Sequence, residues 1–174
     1  MAERILIAYN HVPFIQGGSD AHASGLLNAL LAHGHQAEMV RFPFKFSPTS
    51  FIQGQMSHLE NLDFANFNGM EIDRLICLQF PTYAIQHPKR VVWLMHQHRA
   101  VYDLYSEASA DPKLAEFRQH VVEFDTAHLG SAHALYANSQ NVANRLQRYN
   151  GLQAQPLYHP PPNEALYHCQ PALN

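Results

Sequence analysis

A histidine-rich segment, His96-Gln97-His98-Arg99, follows directly after an apolar run at residues 90–95. Imidazole titrates near neutral pH and can hydrogen-bond a substrate hydroxyl or assist charge movement, so His96 is the leading candidate for a catalytic side chain. The chain has 13 histidines, and most of them must be ordinary surface or capping residues. The His-x-His spacing also suggests a metal, but no cysteine or clear carboxylate pair accompanies it, and we expect no metal site.

A second candidate is the loop Gly17-Gly18-Ser19-Asp20, which leads from an apolar segment into a predicted helix. The unpaired N–H groups and the dipole of a helix N-terminus favour an anion, and glycine lets the anion approach the backbone. The loop matches neither G-x-G-x-x-G nor G-x-x-x-x-G-K-[ST]. An ordinary turn is the alternative interpretation of the two glycines.

Short apolar segments and helical periods alternate along the chain, which predicts an α/β fold: a Rossmann-like parallel sheet with helices on both faces. The predicted strands are residues 4–9, 37–42, 74–80, 90–95, 134–137 and 153–157. Capping residues predict helices that begin near Ser19 or Asp20, after Asp111 and after Ser139. Residues 43–69 lack a sustained period and predict loops with short helices. Aromatic residues in this stretch are candidates for stacking on sugars or contacting a lipid carrier, with a place in the core as the alternative.

Composition narrows the class of protein. Of the 174 residues, 47% are hydrophobic and 14% charged, so the chain should fold. The formal charge of −3 and the absence of a Lys/Arg run argue against nucleic acid as a partner. No apolar stretch approaches the roughly 20 residues of a membrane span, so the cytoplasm is the expected location. Cys77 and Cys169 form no metal or redox spacing, and we expect free thiols.

The predicted domain organisation is simple. Residues 1–158 are predicted to form one Rossmann-like domain, and residues 159–174 a proline-rich connection, because consecutive prolines continue neither a helix nor a central strand. Parallel sheets place their ligands at the carboxyl ends of the strands. The segments at residues 10–20, 81–83, 96–103 and 138–141 are therefore expected to meet there.

Three groups of residues carry a resemblance to a known family. The first group is Arg4-Ile5-Leu6-Ile7, Gly17-Gly18, His22 and His33-Gly34-His35. The second is Phe80-Pro81, His87-Pro88-Lys89 and His96-Gln97-His98-Arg99-Ala100-Val101-Tyr102-Asp103-Leu104. The third is Ala137-Asn138-Ser139-Gln140-Asn141-Val142-Ala143 and Leu157-Tyr158-His159-Pro160-Pro161. Over nearly the whole chain these motifs resemble the N-terminal domain of family-four retaining glycosyltransferases with the GT-B fold, and the second group is similar to a bacterial branch.

The resemblance implies roles for particular residues. Gly17 and Gly18 would approach the diphosphate of a nucleotide-sugar donor, and His96 would lie beside the donor sugar. Such enzymes need no catalytic metal or other cofactor and stabilise the leaving diphosphate with protein charges and dipoles. The remaining candidates for the acceptor side of the cleft are His22, His98, Arg99 and Ser139.

The resemblance also implies partners. The donor-binding C-terminal domain of such enzymes is not in this sequence, so the chain alone is expected to be inactive, and its exposed cleft face is a candidate for self-association. The acceptor is expected to be a glycan, a lipid-linked sugar or a small molecule. A stand-alone sugar- or nucleotide-binding module and, last, a histidine-based metal hydrolase are the alternatives.

Overall fold

A computed structural model describes residues 1–107, 111–161 and 166–169. The strands are β1 Arg4–His11, β2 Gln36–Pro43, β3 Asn66–Phe67, β4 Met70–Glu71, β5 Arg74–Cys77, β6 Arg90–Leu94, β7 Ala134–Ala137 and β8 Gln155–Pro156. The helices are α1 Gly18–Ala32, α2 Thr49–Glu60, α3 Pro112–Gly130 and α4 Gln140–Asn150. Two 3-10 turns lie at Thr82–Ala84 and Arg99–Val101.

Six of these strands form one parallel sheet in the order β2-β1-β5-β6-β7-β8. The central strands are apolar because both of their faces are covered. Ile5, Ile7 and Tyr9 of β1 point into one core cluster, whereas Ala8 belongs to the other. The alternation follows from the two-residue period of a strand.

Helices flank both faces of the sheet. Helix α1 packs on one face through Ala23 and the partly buried Leu26, Leu27 and Leu30. Helices α2, α3 and α4 cover the opposite face, together with the 3-10 turn at Thr82–Ala84. The predicted α/β, Rossmann-like architecture is confirmed. None of the helices in the described part of the chain is long and apolar enough to cross a lipid bilayer.

The predicted caps of α3 and α4 begin those helices. The carboxylate of Asp111 accepts the N–H of Leu114 at 2.8 Å, and the hydroxyl of Ser139 accepts the N–H of Val142 at 3.3 Å. Helix α4 ends at Gly151, whose φ of 69° lies in the left-handed region that favours glycine. These local signals explain why both helices could be predicted. The prediction for α1 is wrong: its N-cap is Gly17 rather than Ser19 or Asp20, because the carboxylate of Asp20, three residues on, accepts the N–H of Gly17 and draws the start of the helix forward.

The segment at residues 43–69 differs from its prediction. In place of loops with short helices, it contains α2, a helix of 12 residues, and the beginning of the β3–β4 hairpin. Ile52, Met56 and Leu59 are the buried residues of α2, at a spacing of i, i+4 and i+7. This helical period is present in the sequence. It is hard to recognise because neighbouring aromatic residues are also buried in the core but do not follow a helical spacing.

Candidate functional site

A cavity of about 720 Å³ lies at the carboxyl ends of the strands. The loops after β1, β2, β5 and β6 line it, as expected of a ligand site in an open parallel sheet. Of the residues singled out from the sequence, Gly17, Gly18, His96, His98 and Arg99 line this cavity. The volume falls in the range of small-molecule sites.

The glycine loop contributes the N-terminus of α1. The carboxylate of Asp20 accepts the N–H of Gly17 at 3.0 Å, which already satisfies one backbone donor. The N–H groups of Gly18 and Ser19 lie in the first turn and have no intrahelical acceptor. They are the donors that remain for an anion at the helix N-terminus.

The structure gives no internal reason for glycine at these two positions. A Cβ added to Gly17 or Gly18 would meet no atom within 4 Å. The φ of Gly17 is −149°, an extended conformation that any residue adopts. The space in front of both residues is open, so a ligand can approach the backbone closely.

His96 lies two residues after the end of β6 and is half-buried. Its Nδ1 is 2.9 Å from the carbonyl oxygen of Gln97. A proton on Nδ1 donates to this carbonyl, and in that tautomer Nε2 carries the lone pair. His96 can therefore accept a hydrogen bond from a hydroxyl group in the cavity.

His98 has a different environment from His96, although both rings belong to the same turn. Only 7% of His98 is exposed, and its ring stacks on Phe80 with 5.1 Å between ring centroids. Burial, and secondarily the proximity of His96, lowers the pKa of His98 to about 4. His98 is therefore neutral at physiological pH and forms part of the cavity floor.

Arg99 is exposed at the edge of the cavity. Its Nε lies 3.7 Å from the carboxylate of Asp103, one turn further along the chain. Asp103 also accepts a hydrogen bond from Arg145 of α4. The carboxylate therefore bridges two guanidinium groups, which leaves a positively charged edge beside the cavity.

His22 does not line the cavity, although the sequence suggested that it faces the cleft. Only 4% of it is exposed, and its ring lies between Trp93 and His159, at centroid distances of 4.2 and 4.6 Å. Burial, and then the neighbouring His159, lowers its pKa to about 4. Its position on α1 is as predicted, but its side chain faces the sheet.

Ser139 likewise does not line the cavity. Its hydroxyl caps α4, and the N–H of the next residue, Gln140, donates to the hydroxyl oxygen of Tyr158 at 3.1 Å. The role that the structure shows for the Ser139 hydroxyl is therefore to cap α4.

His159 lines the cavity although the sequence did not indicate it. It belongs to residues 157–159, a segment that we name the C-terminal strap. The indole N–H of Trp93 donates to the carbonyl oxygen of Leu157 at 2.8 Å, and Tyr158 reaches α4 as described. His159 lies over His22 and lines the cavity. The sequence indicated only an extended connection here, and residues 162–165 and 170–174 of that predicted connection lie outside the described residues.

A buried polar network supports the histidine turn from below. The side-chain amide of Gln97, which is 1% exposed, donates to the Oδ1 atom of Asn150 at 2.5 Å. Asn150 in turn donates to the hydroxyl oxygen of Thr126 at 2.8 Å. The carboxylate of Asp125, one residue earlier on α3, accepts hydrogen bonds from the hydroxyls of Tyr83 and Tyr102. This network could not be predicted from the sequence, because its members are far apart in the chain.

No metal centre is apparent in the described ranges. Within residues 1–107, 111–161 and 166–169, no group of three or more His, Cys, Asp or Glu side chains is arranged to hold a metal ion.

Two comparisons with known proteins gave no match. No protein-family model matches the sequence. No curated protein has significant similarity to it. The functional inference therefore rests on the chemistry of the cavity and on the motifs that line it.

Proposed function

We propose that this chain is the acceptor-side half of a retaining glycosyltransferase with the GT-B fold, which transfers a sugar from a nucleotide-sugar donor to an acceptor hydroxyl. The observation that carries the proposal is the meeting, in one cavity, of an open glycine loop at the N-terminus of α1 and His96 after β6. These elements are separated in the sequence by more than one crossover. Their convergence supports a site that holds a diphosphate and a sugar side by side.

The proposed chemistry needs a stabilised leaving group and an oriented sugar. The acceptor oxygen forms the new bond to the anomeric carbon, the bond from that carbon to the diphosphate breaks, and the departing diphosphate takes up the hydroxyl proton. The N–H groups of Gly18 and Ser19 and the dipole of α1 would stabilise negative charge on the diphosphate. His96 would accept a hydrogen bond from a hydroxyl of the donor sugar through Nε2.

A branched side chain at Gly18 is expected to weaken donor binding without weakening the fold. The Cβ of Gly18→Val meets no protein atom, so only the approach of a ligand is obstructed. We expect the dissociation constant for a nucleotide-sugar to rise by about tenfold, the equivalent of one lost charge-assisted hydrogen bond. Chemical-shift titration with a panel of UDP- and GDP-sugars measures this, because the method reports weak binding.

Gly25→Val is the matched control for this prediction. Gly25 lies on the same helix, is exposed, and also has no atom within 4 Å of an added Cβ. Both variants should unfold at the same denaturant concentration or slightly above wild type, since valine is a better helix former than glycine. Equal donor affinity in the Gly18 and Gly25 variants would mean that the glycine loop is an ordinary turn.

The 174-residue chain by itself is expected to fold, to bind nucleotide-sugars with a dissociation constant above the micromolar range, and to catalyse no transfer. The reason is that a GT-B site lies between two domains, and the residues described above form one wall of it. Calorimetry with the same panel of nucleotide-sugars and a transfer assay test this expectation. Submicromolar binding without transfer would favour the alternative, a stand-alone binding module, and transfer by this chain alone would show a complete catalytic unit.

A further inference from the structure

A row of aromatic rings leads from solvent to the floor of the cavity. Phe46 is 68% exposed and makes an edge-to-face contact with Phe44 at 5.2 Å between centroids. Phe44 is buried and contacts Phe80 edge-to-face at 6.4 Å. Phe80 stacks on His98, two residues beyond His96. We call Phe46, Phe44 and Phe80 the aromatic track.

Large apolar side chains from two other loops are exposed beside the outer end of this track. Ile15, from the loop after β1, is 61% exposed, and Leu104, beyond the histidine turn, is 67% exposed. Both line the cavity together with Phe46. Three separate segments thus bring exposed apolar side chains to one rim, although each exposed side chain forgoes the stabilisation of burial.

The neighbouring residue Phe14 strengthens this observation. It is fully exposed, and its φ of 66° lies in the left-handed region, which a bulky residue rarely adopts. Neither its burial nor its backbone conformation stabilises the folded chain. Phe14 is not among the residues that line the cavity, but it directly precedes Ile15, which is, so its ring is accessible to a ligand that extends beyond the rim.

The cavity lining also has a polar part, which we call the polar wall. It contains His96 and the amide side chains of Asn10 and Gln79, beside the N-terminus of α1. A purely polar sugar would leave the aromatic track uncovered. Part of the polar wall is already paired, since the side-chain amide of Asn10 donates to the carbonyl oxygen of Phe80 and the amide oxygen of Gln79 accepts the N–H of Asn10. The Oδ1 atom of Asn10 is buried and has no partner among the described residues, and an apolar molecule would leave it unpaired, which costs free energy. A ligand that satisfies both walls has a polar head and an apolar body.

We infer that the acceptor is an amphiphile, with a sugar or alcohol head at the polar wall, beside the donor sugar that His96 would hold, and an apolar aglycone, alkyl or aryl, along the aromatic track. This inference rests on the proposed function, because it names the acceptor class of that same site. A flat protein surface would cover Phe46 and Leu104 but would not enter the cavity to reach Phe44 and Phe80. The continuity of the apolar wall from rim to floor favours a chain or ring that inserts.

The test compares three probes that share one head group: octyl, phenyl and methyl β-D-glucoside. Binding to the 174-residue chain is measured by chemical-shift titration, with octyl glucoside kept below its micelle-forming concentration. We expect at least one apolar glucoside to bind about tenfold or more tightly than the methyl glucoside, because the apolar group is removed from water. The octyl and phenyl arms separate an alkyl from an aryl aglycone.

Phe46→Ser and Leu104→Ser are expected to abolish this preference. Their matched controls are Phe67→Ser and Leu31→Ser, which remove exposed side chains of the same types outside the cavity. All four positions are exposed, and Phe46 and Phe67 each lose one edge-to-face contact, with Phe44 and Phe64. The unfolding midpoints of each variant and its control should therefore fall by similar, small amounts. Equal affinity for the three glucosides, or an equal loss in the control variants, would overturn the inference.

Two further outcomes are decisive. If sedimentation shows dimers that Phe46→Ser converts to monomers while the preference for apolar glucosides persists, the rim is an interface between copies and the inference fails. The titrations with glucosides are made without a nucleotide-sugar, so the binding that they measure does not depend on sugar transfer. Transfer to sugar acceptors without any preference for an apolar aglycone would overturn the inference and leave the proposed function intact.

Discussion

Replacing His96 by alanine is expected to lower kcat for sugar transfer by at least about 100-fold, which corresponds to about 2.7 kcal/mol of transition-state stabilisation. The proposed function pairs this domain with a donor-binding domain, and the assay for that proposal uses a chain in which both are joined. The free energy of unfolding should fall by much less than that transition-state stabilisation. The half-buried ring makes a hydrogen bond to the carbonyl of Gln97, and such a bond contributes about 1 kcal/mol to stability. A large kinetic effect beside a small stability effect would identify His96 as a catalytic residue.

The matched control for His96 is His120→Ala, on the exposed side of α3 and away from the cavity. It should leave both kcat and the unfolding midpoint at the wild-type values. Near-normal kcat in a folded His96→Ala enzyme would remove His96 from the site. Parallel losses of activity and stability in that variant would mean that the histidine only maintains the turn.

Asp125→Asn is expected to stabilise the protein increasingly as the pH rises. Asp125 is completely buried, and burial raises the pKa of its carboxyl to about 7, against the opposing effect of the hydrogen bonds from Tyr83 and Tyr102. Between about pH 4 and pH 7 the folded state therefore binds more protons than the unfolded state, and the stability contributed by this carboxyl is lost as the pH rises. Asparagine does not titrate. Its Oδ1 atom accepts from one tyrosine hydroxyl, and its Nδ2 group donates to the oxygen of the other.

Between pH 4.5 and pH 8, the unfolding free energy of Asp125→Asn should rise by about 3 kcal/mol relative to that of wild type. Urea unfolding followed by the fluorescence of Trp93, the one tryptophan, measures it. Parallel pH profiles of the two proteins would contradict a raised pKa of Asp125.

Buried histidines change the unfolding free energy with pH in the opposite direction from Asp125, so wild type and variant must be compared at each pH. The pKa values of His22 and His98 are lowered to about 4, so their contribution to stability is lost as the pH falls from about 6.5 to about 4. In wild type these contributions oppose that of Asp125 over much of the same range. The difference between wild type and variant cancels the histidine contributions.

Much of the fold could be predicted because its signals are local. Apolar runs of strand length, the caps at Asp111 and Ser139, and the glycine at position 151 act within a few residues of their own positions. The missed helix α2 also carried a local signal, the buried period of Ile52, Met56 and Leu59, but aromatic residues around it obscured the pattern.

The sequence by itself determined the alternation of strands and helices and, through the geometry of parallel sheets, that the glycine loop and His96 lie at one edge. Only the tertiary structure decided which side chains face the cavity. His22 points to Trp93 and His159, and Asp125 meets two tyrosines from distant segments, because these contacts depend on helix rotation and long-range packing. The aromatic track also depends on the tertiary structure. Its rings are all phenylalanines, so the residue type does not show which of them are exposed and which are buried. Periodicity reports which face of an element is apolar, whereas the neighbours of that face are set by how the elements pack together.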